Sequence, residues 1–477
     1  MAENTHAHAI VVPFPVQGHI KPTLNLALKL ASQGFTITFV TTHFTHQQIS
    51  QAHKNSTNTN HDMFFQARNS GLDIRHVTVT DSFPLGFDRT GNQEQFWEGM
   101  LHVFPAHVDE LVDQLMKCSK PRPTCLILDT FYNWGSQIAN KFNLVHISFW
   151  TQSALSFTLF YHWELFKKNG HFASQDNRTD VIDYIPGVQE IKPADLISYL
   201  QMSDTTTVAH RTCFTAFEDV RKADFILANT IQEFETDTIS SIRFRQPFFY
   251  PIGPVFSTKS EQQASSALWS ESDCEQWLST KPKGSVLYAS FGSYARVTRH
   301  DIAEIAYGLM QSEVNFIWVI RDDIVGAHET DFLPPEFING IKLKDQGLLV
   351  SWCSQTEVLS NAAIGGFLTH CGWNSILESV WCEVPLLCFP IMTDQPSNRK
   401  LVVDDWRIGV NLSGAEEEVS REEVSMKVRN LISGELGNEL RVQIQKYKKL
   451  MENGIMEGGS SHSNWNKFIH DIQIFKK

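Results

Sequence analysis

The chain opens with apolar and amphipathic segments in regular alternation. Residues 9–15 are apolar, residues 23–34 repeat apolar side chains at helical spacing and end on a glycine, and residues 35–42 are rich in β-branched side chains. An apolar strand, a helix and a second apolar strand in this order are typical of the βαβ unit of a parallel sheet. The pattern therefore predicts a strand at 9–15, a loop at 16–22, a helix at 23–34 and a strand at 35–42.

The alternation continues through the first half, stops at a polar stretch and then starts again. Residues 251–283 are rich in Ser, Gln and acidic side chains, which is typical of a linker with a short helix. Before the linker, the pattern further predicts strands at 124–129, 144–150 and 223–230, a helix at 135–143 and a largely helical region at 151–220. After the linker, it predicts strands within 284–293, 315–321, 347–352, 365–370 and 384–390 and helices at 299–312, 356–363 and 373–383.

Two α/β halves follow from this pattern, each a doubly wound parallel sheet. Such sheets bind ligands in the crevice at the carboxyl ends of their strands, where the strand order reverses. The expected divisions are an N-terminal domain at 1–255, a linker at 256–283, a C-terminal domain at 284–457 and, at 458–477, a final helix that packs back on the N-terminal domain.

Composition and charge narrow the range of partners. A chain of 477 residues with 42% hydrophobic residues is long enough for two full cores. Its formal net charge of −13 argues against nucleic acid or an anionic membrane as the main partner. The eight cysteines form no CxxC pair, which indicates reduced thiols, and neither a signal peptide nor a membrane span is predicted. We therefore expect a cytoplasmic monomer without a transmembrane segment.

The segment between Trp352 and Gln395 contains the densest group of candidate ligand-binding residues. A predicted strand ends at His370, and a helix begins a few residues later, so that free N–H groups and the positive end of the helix dipole suit a diphosphate. Ser375 adds a hydroxyl to that cradle, and Glu378, on the same helix, can accept hydrogen bonds from the vicinal hydroxyls of a ribose. Trp352 offers a flat face to a base.

The same segment ends with a second polar pair, Asp394 and Gln395, which provides a carboxylate and an amide for a further polyol. Each of these side chains alone has an ordinary structural explanation, such as a core tryptophan or a surface turn. Together they indicate a nucleoside diphosphate linked to a sugar.

These residues resemble the signature box of plant family 1 UDP-dependent glycosyltransferases. The box runs from a Trp to a Gln or His over 44 residues, as Trp352 to Gln395 does, and WxxQxxxL, HCGWNSxxE, PxxxxP and DQ all occur in register. The FGS turn and the C-terminal GGSS also match. The resemblance implies a GT-B fold, in which two Rossmann-like doubly wound domains face each other across a cleft, and a UDP-sugar as cosubstrate with no bound cofactor.

The resemblance also assigns roles to single residues. Trp352 would stack on uracil, and the backbone of Cys353 would pair with it. A terminal Gln, here Gln395, is associated with glucose as the sugar, so the resemblance favours UDP-glucose. The donor-binding residues that it further implies are Gln355 and Glu378 for the ribose, His370, Asn374 and Ser375 for the phosphates, and Thr151, Trp373, Asp394 and Gln395 for the sugar. Ser293, in the FGS turn, is also implied as a donor-binding residue.

The first half contains the candidate base. His19 lies between the first strand and the first helix, and Asp129 ends a strand at the same edge of the sheet. Taken alone, His19 could equally be a helix cap, and an aspartate at a strand end is more often one. The family pairs a His and an Asp in these contexts, with the carboxylate orienting the imidazole. The resemblance therefore implies His19 and Asp129 as a catalytic dyad that deprotonates an acceptor hydroxyl for attack on the anomeric carbon, with inversion to a β-glucoside.

No metal ligand set is expected, since there is no DxD pair. The acceptor is expected to be a small, largely apolar plant metabolite, and the aromatic residues Phe14, Phe131, Trp134 and Phe149 are the candidates that would contact it.

The sequence also bears on three other functions. A dehydrogenase is disfavoured because the first loop lacks GxGxxG. A sugar-nucleotide binding protein without catalytic activity would need neither His19 nor Asp129. C-glycosylation of a phenol stays open, because the same base could deprotonate the phenol and a ring carbon could attack.

Overall fold

Two parallel β-sheets organise the protein. The computed structural model describes residues 7–52, 62–174, 178–256, 268, 271–326, 332–413 and 418–475. The first sheet contains β1 (His8–Val12), β2 (Thr36–Thr42), β3 (Ile74–Val79), β4 (Cys125–Asp129), β5 (Val145–Trp150), β6 (Phe225–Ala228) and β7 (Phe249–Pro251). The second contains β8 (Val286–Ser290), β9 (Asn315–Val319), β10 (Gly347–Val350), β11 (Ile364–Thr369), β12 (Leu386–Cys388) and β13 (Gly409–Asn411).

Helices connect the strands and cover the faces of the sheets. Those of the first half are α1 (Gln17–Ser32), α2 (His43–Ala52), α3 (Phe65–Asn69), α4 (Gln93–His102), α5 (Phe104–Cys118), α6 (Gly135–Phe142), α7 (Ala154–Tyr161), α8 (Trp163–Asn169), α9 (Ser198–Gln201), α10 (Val208–Val220) and α11 (Thr236–Arg245). Those of the second half are α12 (Glu275–Leu278), α13 (Arg299–Ser312), α14 (Pro335–Lys344), α15 (Gln355–Ser360), α16 (Trp373–Trp381), α17 (Gln395–Lys400), α18 (Arg421–Ser433), α19 (Glu435–Ile455) and α20 (Ser460–Ile474).

Both sheets reverse their strand order at one point. The first has the order β3-β2-β1-β4-β5-β6-β7 and the second β10-β9-β8-β11-β12-β13, with every pair parallel. The reversal lies between β1 and β4 in the first sheet and between β8 and β11 in the second. Loops that leave neighbouring strands in opposite directions open a crevice at such a point, where ligands bind. The topology is that of two doubly wound, Rossmann-like domains, as the sequence predicts.

The alternation of side chains along the strands buries both faces of the first sheet. Ile10 and Val12 face one hydrophobic cluster, and Ala9 and Val11 face the other. The second cluster is completed by α20, which inserts Phe468 against the sheet. The last helix therefore packs on the first sheet although it follows the second in the chain.

The boundaries differ from the predicted ones at particular places. The first helix begins at Gln17 instead of residue 23, so the segment predicted as a loop is its first turns, and Pro22 lies inside it. Strands β3, β7 and β13 were not predicted: β3 carries Arg75 and His76 at a sheet edge, and the other two have three residues each. The predicted helical region at 151–220 is interrupted between α8 and α9.

Residues 257–267, 269 and 270 of the predicted linker at 256–283 lie outside the described residues, and its described end forms α12. Among the residues that the structure describes, no helix combines the length and the apolarity that are needed to cross a bilayer.

We predict that Phe468→Ala destabilises the protein. The ring is fully buried between α20 and the first sheet, and the loss of a buried phenylalanine side chain typically costs about 3–5 kcal/mol. Urea unfolding should show this decrease in the free energy of unfolding. Ile474→Ala on the same helix removes a side chain that is 63% exposed and should change that free energy by less than about 0.5 kcal/mol; equal stability of the two variants would contradict the docking of α20.

Candidate active site

A cavity of about 1280 Å³ lies between the two sheets. Its walls come from the loops at the carboxyl ends of β1, β5, β8 and β11 and from the N-terminal turns of α1, α15 and α16. Both crevices thus open into one space, and each sheet provides one side of it.

His19 and Asp129 meet at the crevice of the first sheet. His19 lies in the first turn of α1, directly after β1, and Asp129 is the last residue of β4, the strand beside β1. The imidazole Nδ1 lies 2.6 Å from Asp129 Oδ2, and Thr151 Oγ1 lies 3.2 Å from the same nitrogen. The Asp129 side chain is 1% exposed and the His19 side chain 13%. The free Nε2 edge of the imidazole is therefore the one available to a substrate in the cavity.

The Asp129 carboxylate is held in place by the backbone that follows it. The N–H of Phe131 donates to Asp129 Oδ1 at 3.0 Å, which leaves Oδ2 for the imidazole. A buried carboxylate with both oxygens bonded fixes the ring orientation of its histidine partner. The structure thus brings the predicted pair together with the geometry of an oriented base.

A second cradle lies at the crevice of the second sheet, around His370. Gly292 and Gly372 lie so close on either side of this ring that a Cβ on either glycine would come within 2.5 Å of the imidazole Nε2. Arg321, which is buried, holds the Gly292 loop by donating to the Gly292 carbonyl and, at 2.9 Å, to that of Ala295. Burial, with the nearby Arg321 cation, lowers the pKa of His370 to about 4, so its ring is neutral near pH 7.

The N-terminus of α16 completes this cradle. The first helical hydrogen bond runs from the Ile376 N–H to the Gly372 carbonyl at 3.1 Å, so the three preceding N–H groups lie outside the helical ladder. Ser293 and Ser375 also line the cavity there. The concentration of N–H groups and the helix dipole favour an anion at this place.

The residues predicted to hold a ribose form one hydrogen-bonded group. Gln355 Nε2 donates to Glu378 Oε2 at 2.8 Å and to Ser375 Oγ at 3.0 Å. The Glu378 side chain is 4% exposed, and its second oxygen accepts from Lys21 Nζ of α1 at 2.7 Å. Lys21 thus reaches the predicted ribose site from the other domain.

Trp352 and Cys353 line the cavity beside this group. The Cys353 thiol points into the domain core, 3.6 Å from the Tyr288 hydroxyl, and is 4% exposed as a residue. The nearby Cys274 thiol and burial both raise the pKa of Cys353, so its thiol stays protonated. The contribution of this residue to a ligand is therefore limited to its backbone.

Asp394 and Gln395 line the cavity at the start of α17. Gln395 Oε1 accepts from the N–H groups of Ile391 and Met392 at 2.8 and 2.9 Å. The amide nitrogen therefore points away from this backbone segment. Asp394 is buried and accepts from Asn398 Nδ2 at 2.7 Å, and burial raises its pKa. Both side chains are therefore held by the loop that presents them.

Two other predicted donor residues contact the opposite domain. Trp373 Nε1 donates to the Asn229 carbonyl at 2.7 Å, and Asn374 Nδ2 donates to the Gly18 carbonyl at 2.7 Å. Both residues still line the cavity. The first turn of α16 therefore joins the two domains as well as forming the anion cradle.

The acceptor side of the cavity is aromatic. Phe14 and Phe131 line it, with ring centroids 5.8 and 5.7 Å from that of His19. Further aromatic walls come from separate segments of the chain: Phe96, Trp97, Phe160, Tyr199 and Tyr294. Burial raises the pKa values of the two tyrosines, so their hydroxyls stay protonated.

Two of the predicted acceptor contacts do not lie at the cavity. Phe149 is fully buried and faces the opposite side of the first sheet from Trp150, because successive residues of a strand point to opposite faces. Trp134 packs on Tyr132, with ring centroids 4.7 Å apart, one layer behind the wall. The structure corrects both predictions.

Three residues that the sequence did not single out also shape the site: Lys21, Asn229 and Arg321. Only Asn229 had a usable signal, since it directly follows the apolar run of β6 and so belongs at the carboxyl edge of the sheet. Within the described ranges, no group of three or more His, Cys, Asp or Glu side chains is arranged to hold a metal ion.

Comparisons with known proteins identify the family of this chain. A family model described as "UDP-glucoronosyl and UDP-glucosyl transferase" matches residues 188–447, and one described as "Glycosyltransferase, N-terminal domain" matches 6–245. UDP-glycosyltransferase 86A1 of Arabidopsis thaliana is 53% identical over 99% of this chain and 96% of its own length. The 7-deoxyloganetin glucosyltransferase of Catharanthus roseus is 32% identical over 97% of this chain and 96% of its own.

A solved structure of UGT71G1 from Medicago truncatula, complexed with UDP-glucose, shares the fold. It is 24% identical, covers 99% of this chain and 100% of its own, and superposes with a TM-score of 0.80. From the family model and the identity to the two curated relatives, we conclude that the chain belongs to the plant family 1 UDP-glycosyltransferases, enzymes that transfer a sugar from a UDP-sugar to a small plant metabolite.

Proposed function

We propose that the enzyme transfers glucose from UDP-glucose to a hydroxyl of a small, largely apolar plant metabolite and forms a β-O-glucoside. The observation that carries this proposal is the 2.6 Å contact between His19 Nδ1 and Asp129 Oδ2 beside the shared cavity. A non-catalytic binding protein would need no oriented imidazole at the mouth of an aromatic chamber.

The proposed reaction is a single displacement. His19 Nε2 takes the proton of the acceptor hydroxyl while the acceptor oxygen attacks the anomeric carbon from the face opposite UDP. Asp129 stabilises the imidazolium that forms, as in other carboxylate–histidine pairs. The bond from the anomeric carbon to the β-phosphate oxygen breaks, and UDP leaves with that electron pair. Attack from the opposite face inverts the α-linked donor to a β-product.

The residues of this chain can stabilise the departing diphosphate. His370, Ser375 and the free N–H groups of the α16 N-terminus supply hydrogen-bond donors and a positive dipole end where the negative charge develops. Gln355 and Glu378 would hold the ribose, and Trp352 the uracil ring. We assign Thr151, Trp373, Asp394 and Gln395 to the sugar of the donor and Ser293 to the anion cradle beside Ser375. Thr151 also contacts His19 Nδ1.

Glucose is proposed as the sugar because Gln395 ends the signature box and because the solved relative from Medicago truncatula holds UDP-glucose. The acceptor is proposed to be largely apolar because the chamber around His19 is built from phenylalanine, tryptophan and tyrosine side chains. The enzyme is further proposed to be a cytoplasmic monomer, which accords with its eight free cysteines. C-glycosylation of a phenol uses the same base, and acid hydrolysis of the product separates it from the O-glucoside.

His19→Ala should lower kcat at least about a hundredfold, as expected for the loss of a general base. UDP-glucose is offered with a panel of phenolic, flavonoid and terpenoid alcohols, and acceptor-dependent UDP release is measured. The affinity for UDP should stay close to that of the wild type, because His19 lies on the acceptor side. His102→Ala removes a histidine whose side chain is 64% exposed and does not line the cavity, and it serves as the matched control. Undiminished turnover in His19→Ala would contradict the assigned base.

Gln395→His should lower the ratio of kcat/KM for UDP-glucose to that for UDP-galactose. The imidazole cannot reproduce an amide whose oxygen accepts two backbone N–H groups while its nitrogen stays available. The two donors are compared with one acceptor at several concentrations. The dissociation constant of UDP serves as the internal control and should change little. An unchanged ratio of kcat/KM for UDP-glucose to kcat/KM for UDP-galactose would contradict the assignment of Gln395 to the sugar site.

A further inference from the structure

We propose that Lys21 is a positioning residue, and that it and the Gly18 carbonyl clamp the first turns of α1 onto α16 so that His19 stays aligned with the bound donor. The inference rests on the proposed role of His19 as the base. It concerns neither the base nor the donor ligands themselves, but the contact that fixes one relative to the other.

The first half of the clamp is the ion pair between Lys21 and Glu378. Lys21 Nζ lies 2.7 Å from Glu378 Oε1 and 3.5 Å from Thr356 Oγ1, so a side chain of the first domain ends among residues of the second. The Glu378 carboxylate is 4% exposed, whereas the lysine side chain is 41% exposed. Burial opposes the charge on Lys21, but the Glu378 carboxylate outweighs it and raises the pKa of Lys21. The ammonium is therefore charged near neutral pH.

The second half depends on Pro22. A proline has no N–H, so within a helix it cannot donate to the carbonyl four residues earlier. In α1 that carbonyl belongs to Gly18, and Asn374 Nδ2 of α16 donates to it at 2.7 Å. Because Pro22 cannot donate to it, the Gly18 carbonyl accepts a hydrogen bond from Asn374 of the second domain instead.

The two contacts stand on either side of His19 in the chain. Gly18 and Lys21 lie in the same first turns of α1, and their partners Asn374 and Glu378 are four residues apart on one face of α16. The opposite side of His19 is held by Asp129 of the first sheet. Asp129 and Thr151 of the same domain therefore hold the imidazole, and the two contacts between α1 and α16 fix its position relative to the donor site.

This arrangement separates the effect of Lys21 on turnover from its effect on binding. Loss of the ammonium leaves Glu378 with Gln355 as a partner and with one oxygen free for a ribose hydroxyl. UDP binding should therefore be unchanged or tighter. Turnover should fall, because a displacement of about 1 Å between base and substrate can cost a hundredfold in rate.

The test is a comparison of Lys21→Met and Lys21→Arg with the wild type. For Lys21→Met we expect kcat to fall about tenfold and the dissociation constant of UDP to stay equal or decrease. The melting temperature should stay near that of the wild type, because the lysine side chain is 41% exposed and Gln355 still donates to the buried Glu378 carboxylate. Lys21→Arg keeps the cation and should restore most of the loss. Lys141→Met removes another lysine of the same domain, paired with Asp109 on the surface, and serves as the control.

Two outcomes would overturn the inference. Wild-type kcat in Lys21→Met would show that the clamp does not align the base. A parallel loss of UDP affinity, kcat and melting temperature would show a purely structural role. The proposed function is judged separately, by His19→Ala against the wild type, so either proposal can fail while the other stands.

A double-mutant cycle tests whether the effect of Lys21 on kcat depends on Glu378. If Lys21 acts through Glu378, then Lys21→Met should lower kcat much less in a Glu378→Gln background than in the wild type. Equal effects in the two backgrounds would mean that Lys21 acts elsewhere and would overturn the assignment.

Discussion

The strand-order reversal that both sheets share is the constraint on which the site depends. In a parallel sheet, the loops after the two central strands diverge, and the space between them is the only place where side chains from both can converge on a ligand. His19 and Asp129 follow β1 and β4, and the Gly292 loop and His370 follow β8 and β11. The candidate site residues of each domain therefore occupy the equivalent position of their own sheet. The candidate active site spans both domains because the two crevices open into one cavity.

The second feature of this site is that its buried polar side chains are either neutral or hydrogen-bonded. His370 is kept neutral by burial and by the Arg321 cation, which itself ties the adjacent loop through backbone carbonyls. Asp394 and Glu378 are buried carboxylates, but each accepts hydrogen bonds from an amide side chain. Buried charges are tolerated when they are bonded in this way. The side chains that line the cavity are therefore held in place without a ligand, and binding has a small entropic cost for ordering them.

The sequence predicted those parts of the structure that local patterns determine. Apolar runs located the central strands, and α13 occupies the predicted range of 299–312. The donor residues could be predicted because they lie in one segment at fixed spacing. The start of α1 was missed because the predicted loop extended to Pro22 and the helix was placed after it. The hydrogen bond that Pro22 cannot make is replaced by a bond from Asn374 to the Gly18 carbonyl, a contact across more than 350 residues that no local pattern reveals. Trp134 and Phe149 were misplaced for a similar reason: the face to which a side chain points depends on strand register, and the acceptor walls come from distant segments.

The docking of α20 on the first sheet has a consequence for biosynthesis. Tyr250 of β7 donates its hydroxyl to Asp471 of α20, and these residues are 221 positions apart. During translation, the first sheet leaves the ribosome with part of one apolar face uncovered, the part on which Trp465, Phe468 and Ile472 of α20 pack, and that part stays uncovered while the whole second sheet is made. Such exposed surface promotes aggregation and binds chaperones. The N-terminal domain is thus first to be synthesised and among the last to be completed.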